Sequence, residues 1–192
     1  MLSETVTATS GSFDALPVGV VRRPLKTHPD SRGDFTEMFR NEWQGSPLPV
    51  QWNLSRNNPN VLRGIQVHAR HWDYLCVVAG EMTIGLHDVR PGAPAVPRSA
   101  MLQMSSRRLE ILVIPPGVAH GFYSPDHSTH LIGVSSYYDP TDHSRCRWDC
   151  PELGLEWACD APELSATDRQ LAGYEQLKAG YLASLAAAAS GA

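Results

Sequence analysis

From Val18 to Ser135 the apolar positions recur in short runs of strand length, broken by Gly, Pro and Asn, with little of the three-to-four spacing of a helix. Eight segments carry the pattern: Val18 to Arg22, Asp34 to Phe39, Val50 to Leu54, Val61 to Val67, Tyr74 to Val78, Glu81 to His87, Leu109 to Ile114 and His130 to Ser135. Turn chemistry such as Asn57-Asn58-Pro59-Asn60 and Arg90-Pro91-Gly92 separates them, and Ala93 to Pro97 reads as a loop. Many short strands with turns between them predict an all-β sandwich or barrel. Helical character comes late, over Thr167 to Ala189, where Ala, Leu, Gln and Glu dominate and Ser165 or Thr167 is a plausible N-cap. The organisation that follows is a flexible arm at residues 1–16, a barrel at 17–166, and a helix with a frayed tail at 167–192.

Composition narrows the class. A chain of 192 residues, 42% hydrophobic and 19% charged, suffices for one core, and a formal net charge of −4 without a Lys/Arg run argues against a nucleic acid polymer as partner. Met1 to Ser12 lacks the basic flank and apolar run of a secretory signal, and no segment is long and apolar enough to span a bilayer, so the expectation is a cytoplasmic protein without membrane attachment. The four cysteines follow no zinc-knuckle spacing and read as reduced thiols.

The chemistry concentrates in Leu62-Arg63-Gly64-Ile65-Gln66-Val67-His68, followed by Asp73 and Gly80 and answered by Pro115-Pro116-Gly117-Val118-Ala119-His120. Alternate side chains of an extended segment share a face, so Gln66 and His68 project together while Ile65 and Val67 point the other way. The spacing resembles the paired motifs of the cupin superfamily, whose metal-binding members offer two histidines and a carboxylate from the first motif and a histidine from the second. Gln66 stands at the first of those places; His68, Asp73 and His120 fit the rest. Two imidazoles and a carboxylate, with Gln66 as a possible fourth ligand, suffice for a divalent transition metal. The alternative is a pocket that keeps these polar groups only to hold substrate.

A closer resemblance covers residues 30–168. Asp30-Ser31-Arg32-Gly33-Asp34-Phe35-x-Glu37, Val50-Gln51-Trp52-Asn53-Leu54-Ser55, Val61-Leu62-Arg63-Gly64, Ile114 to Phe122, Tyr137-Tyr138-Asp139-Pro140 and Leu164-Ser165-x-x-Asp168 together resemble the dTDP-4-dehydrorhamnose 3,5-epimerase family. The resemblance implies a cupin jelly-roll barrel with a short C-terminal helical segment, a homodimer, no cofactor, and a pocket for a dTDP-sugar or related small molecule. It implies that Arg32, Phe35 and Glu37 meet the nucleotide across the dimer interface and that Gln51, Asn53 and Arg63 line the substrate site; Gln66 and His120, read as facing the same pocket, are expected to bind substrate too. Arg suits such contacts because its fork of donors grips phosphate bidentately.

The family's catalytic groups carry over unevenly. Its base is a histidine after Arg-Gly-x, held by the aspartate of Ser-x-x-Asp; here these are Gln66 and Asp168. Its tyrosine acid corresponds to Ile132, and its lysine to Asp73. An amide cannot act as a general base, so an altered acid/base set is expected, with His68, which matches the second histidine of the Arg-Gly-x-His-x-His motif in related 3,4-ketoisomerases, as a relocated base, Tyr137 or Tyr138 as acid, and Asp168 beside them. Three readings stand: an isomerase or epimerase of a nucleotide-linked 4-keto-6-deoxyhexose; a metal-dependent cupin enzyme using the His-Asp-His set on another small molecule; and a non-catalytic sugar-nucleotide-binding relative. His71, His87, His127, His130 and His143 are expected at the surface. Trp148 and Trp157 are expected to pack a C-terminal cap over the barrel.

Overall fold

The computed structural model describes residues 15–43, 46–94 and 98–190. Among the described residues twelve strands are formed: β1 (Val21–Pro24), β2 (Thr27–Asp30), β3 (Gly33–Thr36), β4 (Gln51–Asn57), β5 (Val61–Val67), β6 (Asp73–Ala79), β7 (Glu81–Asp88), β8 (Ser99–Ser105), β9 (Glu110–Ile114), β10 (Val118–Ser124), β11 (Ser128–Val134) and β12 (Ser144–Arg145), followed by a long helix, α1 (Tyr174–Ser190). Two five-stranded antiparallel sheets, ordered β1-β9-β6-β11-β4 and β12-β5-β10-β7-β8, face each other as a jelly-roll barrel, and β2 pairs with β3 in a separate ribbon.

Alternation along each strand decides which side chains fill the barrel. Leu75 and Val77 of β6, Leu112 and Ile114 of β9, Ile84 and Leu86 of β7, and Phe122 of β10 meet inside, all buried. The opposite faces are covered too. Tyr74, Cys76, Ile111 and Val113 are packed under Met38, Phe39, Trp43 and Trp72. Ile65, Val67, Ala119, Cys146 and Cys150 lie under α1, which turns Tyr174, Leu177 and Tyr181 toward them, a three-and-four spacing along one helix face. Full burial of an aliphatic side chain such as Leu177 contributes about 1.5–3 kcal/mol, so α1 is a working part of the barrel wall.

Four strands lie where no strand was expected, β2, β8, β10 and β12, and β1 and β3 are shifted from Val18 to Arg22 and from Asp34 to Phe39. β10 gives little strand signal because Ala119 and Gly121 weaken its propensity, yet its seven residues are all buried between β5 and β7. Tertiary packing supplies what intrinsic preference withholds. The helix begins at Tyr174 rather than Thr167, because Asp168–Gln170 forms a short 3-10 turn and Leu171 is extended. At the N-terminus residues 1–14 of the expected arm lie outside the described residues, and Leu16 packs against the core. Residues 95–97 of the expected loop are likewise outside them.

Trp157 packs beside the residues under α1 and donates to the Trp148 carbonyl, the C-terminal cap that the two tryptophans suggested. The four cysteines are free thiols.

Candidate functional site

One irregularity in β5 shapes the site. Gln66 pairs with His120 on β10 but Arg63 pairs with Phe122, so three steps on β5 oppose two on β10. The extra residue falls at Gly64–Ile65. Gly64 has φ +107°, and a Cβ there would meet the Gly121 Cα at 2.7 Å and the His120 carbonyl oxygen at 2.8 Å; only glycine fits. The bulge puts Arg63 and Gln66 on one side, where strict alternation would have opposed them.

Both residues line a cavity of about 270 Å³ between strands of the two sheets, with Ser55, His120, Phe122, Ile132, Arg145, Ser165 and Asp168. A small recess behind it, of about 20 Å³, is shared by Gln66, His120, Phe122 and Ile132 and reaches Asp73. Asn57, buried, accepts from Arg63 Nε at 2.8 Å and donates to Ser124, Ser128 and His130, which fixes Arg63 at the rim.

Hydrogen bonds fix the tautomers around Gln66. His143 Nε2 donates to Gln66 Oε1 at 2.7 Å, which leaves the Gln66 amide nitrogen to donate to His120 Nε2 at 3.3 Å. His120 Nδ1 donates to the Val118 carbonyl at 3.2 Å, so its Nε2 carries the lone pair. His68 is built alike: Nδ1 donates to the Asp142 carbonyl at 2.7 Å. The nitrogens His68 Nε2 and His120 Nε2 stand 3.9 and 3.8 Å from Asp73 Oδ2. On the other side His71 Nε2 is 3.7 Å from Asp73 Oδ1, and His71 Nδ1 is 3.2 Å from the Asp142 carboxylate.

Burial pushes His68 down to about 4, with Asp73 opposing the shift. Burial also lowers His143 to about 4, helped by Arg145. For His71 burial again disfavours the charge, but the Asp73 and Asp142 carboxylates outweigh it and raise its pKa. Burial raises Asp73, and the imidazoles of His120, His71 and His68 more than offset that, so its carboxyl titrates below the usual range. The cluster therefore holds an ionised carboxylate among imidazoles of unequal basicity.

Asp168 accepts from Arg145 Nη2 and from Ser165 Oγ. The aspartate that would hold the family's histidine is held by an arginine instead.

The expected site residues divide into three groups. Arg63, Gln66, His120 and Asp168 line the cavity, with Asp73 in the recess behind them and His68 against Asp73. Gln51 and Asn53 bond to each other on β4 outside the cavity lining, and Arg32, Phe35 and Glu37 lie on and beside the β2–β3 ribbon, where Arg32 pairs with Asp30 and Glu37 with Arg40. Tyr137 and Tyr138 are 73% and 68% exposed and line neither cavity, so neither is placed as an acid: the chain leaves the barrel at the end of β11 before reaching them. Gln66 is not turned to serve as a metal ligand, since its oxygen is engaged by His143.

Of the histidines expected at the surface, only His127 is exposed; His71, His87 and His130 are buried and His143 is half-buried. His87 accepts from the Tyr174 hydroxyl at 3.0 Å and ties α1 to β7, and His130 accepts from Asn57 inside the barrel. Arg145, Asp142, His71 and His143 are site residues that sequence reasoning missed. A two-residue strand and loop histidines give no periodic signal.

Fold and site define a jelly-roll barrel with a polar, arginine-flanked cavity between its sheets. The sequence pattern of dTDP-4-dehydrorhamnose 3,5-epimerase matches residues 17–176, and the chain belongs to that family. It is 32% identical over 162 residues to a dTDP-4-dehydrorhamnose 3,5-epimerase of Neisseria gonorrhoeae, covering 80% of this chain and 49% of that one, about half its length. A Salmonella typhimurium protein of the same name is 31% identical over 165 residues, covering 80% and 89%. Among solved structures, a dTDP-6-deoxy-D-glucose-3,5-epimerase of Legionella pneumophila in complex with dTDP-4-keto-L-rhamnose superposes with TM-score 0.78 at 25% identity, covering 85% of this chain and 92% of that one. No described helix is long and apolar enough to cross a membrane.

Proposed function

We propose that the chain is an isomerase or epimerase of a nucleotide-linked 4-keto-6-deoxyhexose whose acid/base set is rearranged from the family's, with His120 as the base. The observation that carries this reading is the orientation of His120: Nδ1 tied to the main chain, Nε2 with its lone pair turned toward Gln66 at the cavity wall. Removing a proton beside a ketone needs such a group, because imidazole accepts protons near neutral pH and an amide does not. His68, the base suggested by spacing, is buried behind Asp73 and does not line the cavity.

The enolate formed when the proton leaves carries negative charge on the former ketone oxygen, and Arg63 and Arg145 are the cations of the cavity wall. The transfer itself requires no cofactor. Arg32, Phe35 and Glu37 stand on and beside a ribbon away from the chain's own cavity, and Trp52 and Leu54 of β4, with Val50 just before it, are exposed. A homodimer that buries the β4 face and brings the ribbon to a neighbour's cavity gives both features a purpose.

The test is incubation with dTDP-4-keto-6-deoxyglucose in heavy water, read by mass spectrometry and NMR. Deuterium is expected at a carbon flanking the ketone, and His120→Ala should abolish it. Binding of dTDP without deuterium at any such carbon would overturn the reading in favour of a non-catalytic relative.

A further inference from the structure

Three residues of the cavity wall stand in one row across three strands. Arg145 on β12 pairs with Gln66 on β5, and Gln66 pairs with His120 on β10. Directly paired residues of an antiparallel sheet turn their side chains to the same face, and all three line the cavity. The main chains that carry Arg145 and His120 lie two strand spacings apart, about 10 Å. One sugar ring can therefore touch both the guanidinium and the imidazole, with the Gln66 amide between them.

The two cations of the cavity are built differently. Arg63 is exposed, and Asn57 engages its Nε at 2.8 Å. The Arg145 side chain is only 25% exposed and is held by Asp168, which accepts Nη2 on one carboxylate oxygen and the Ser165 hydroxyl on the other. The Asp168 main-chain N–H donates back to that hydroxyl, so the carboxylate is fixed and in turn fixes the guanidinium. Asp168 occupies one of the five N–H donors of the guanidinium. Arg145 Nε is buried without an acceptor, as His130 Nε2 is, a cost of about 1–3 kcal/mol that packing alone does not call for. At the other end of the row the Asp73 carboxylate lies in the recess behind His120. Negative charge developing in the cavity is repelled by Asp73 and drawn toward Arg145. That field turns a ketone so that its α-carbon meets His120 and its oxygen points to β12.

We infer that Arg145, rather than Arg63, is the catalytic residue that binds the ketone oxygen as it becomes an oxyanion, and that Asp168 and Ser165 are its positioning residues. The assignment rests on His120 as the base. When the C–H bond beside the ketone breaks, the proton goes to His120 Nε2 and the electron pair forms the carbon–carbon double bond of the enolate. The carbonyl π pair moves onto the oxygen that faces Arg145. Return of a proton to carbon restores the C=O bond, and no oxidant or reductant is consumed. One fixed donor aimed at such a charge is worth about 10²–10³-fold in rate.

The test is Arg145→Lys in the full chain, which keeps a cation beside Asp168 but removes the fork of donors. With dTDP-4-keto-6-deoxyglucose in heavy water the maximal rate of deuterium exchange should fall about 100-fold or more, while KM and the Kd for dTDP by calorimetry change less than about threefold. Asp168→Asn should lower the maximal rate about tenfold in the wild-type background and not further in Arg145→Lys, the non-additivity of a residue that acts through another. If Arg145→Lys does not fold, Arg145→Gln combined with Asp168→Asn carries the same test, because no buried charge is then stranded. Exchange within about threefold of the wild type in a folded Arg145 variant, or a raised KM at an unchanged maximal rate, overturns the assignment and leaves His120 standing as the base. A wild-type chain that binds dTDP and exchanges no deuterium overturns both together.

Discussion

Gln66 and His120 face each other across the seam of β5 and β10, amide nitrogen to imidazole Nε2 at 3.3 Å, so the chain's substituted position and its cavity imidazole are hydrogen-bonding neighbours. The Gln66 oxygen is held in turn by His143. The altered residue is thus integrated into a network of its own, and reversing it alone should not recreate the parent site.

Gln66→His is accordingly expected to change turnover of dTDP-4-keto-6-deoxyglucose by less than about tenfold, because catalytic groups that act as a unit are not additive. Asp168 stays bound to Arg145, and Ile132 and Asp73 remain in place. Steady-state kinetics on the purified variant decide this, and a gain of about a hundredfold would show that the rest of the family's machinery was still poised.

Arg145→Leu should destabilise the fold by about 3 kcal/mol, since removing one partner leaves the buried Asp168 carboxylate without its cation. Urea unfolding measures it. Pairing the change with Asp168→Asn should recover much of the loss, because the stranded charge is then gone.

Acid should weaken the protein through its buried histidines. Burial holds His130 at about 4, with Arg63 adding to the effect, against an ordinary value of 6.5. The unfolded chain takes up this proton first, so the contribution is complete above about pH 6.5 and is lost as pH falls toward 4. For His130 alone the difference between pH 7.5 and 4.5 is about 2–3 kcal/mol. His68 and His143, also held at about 4, act in the same direction. His71, raised by its carboxylates, acts oppositely, its contribution being full at low pH and lost as pH rises through its folded value. Urea midpoints across this range should fall with acidity, and His130→Leu should flatten the slope.

Gly64→Ala should cost more stability than a typical surface change and abolish activity. The added Cβ meets the backbone of β10 at 2.7 and 2.8 Å and the φ of +107° disfavours any side chain. Thermal melting and the deuterium assay on the same sample would show both losses, and a variant with normal melting and full exchange would refute the role given to the bulge.

Trp52→Glu, in the exposed β4 face with Val50 and Leu54, should convert a dimer into monomers by light scattering. An unaltered mass, or a wild-type monomer, would contradict the proposed assembly.

Much of this was written in local pattern. Alternation gave β5, β6, β7 and β9 nearly in full, and it placed Gln66 and His68 opposite Ile65 and Val67 because a strand's period of two fixes which side chains share a face. The spacing of His68, Asp73 and His120 likewise foretold a cluster. What local pattern could not contain was the extra residue in β5, which depends on how closely Gly64 approaches β10, and the capture of Asp168 by Arg145, two residues far apart in the chain. Nor could it show that His120 rather than His68 meets the cavity. That follows from the pairing of β10 with β5, which sets His120 against Gln66 in the cavity wall, a contact between distant segments that no window of sequence records.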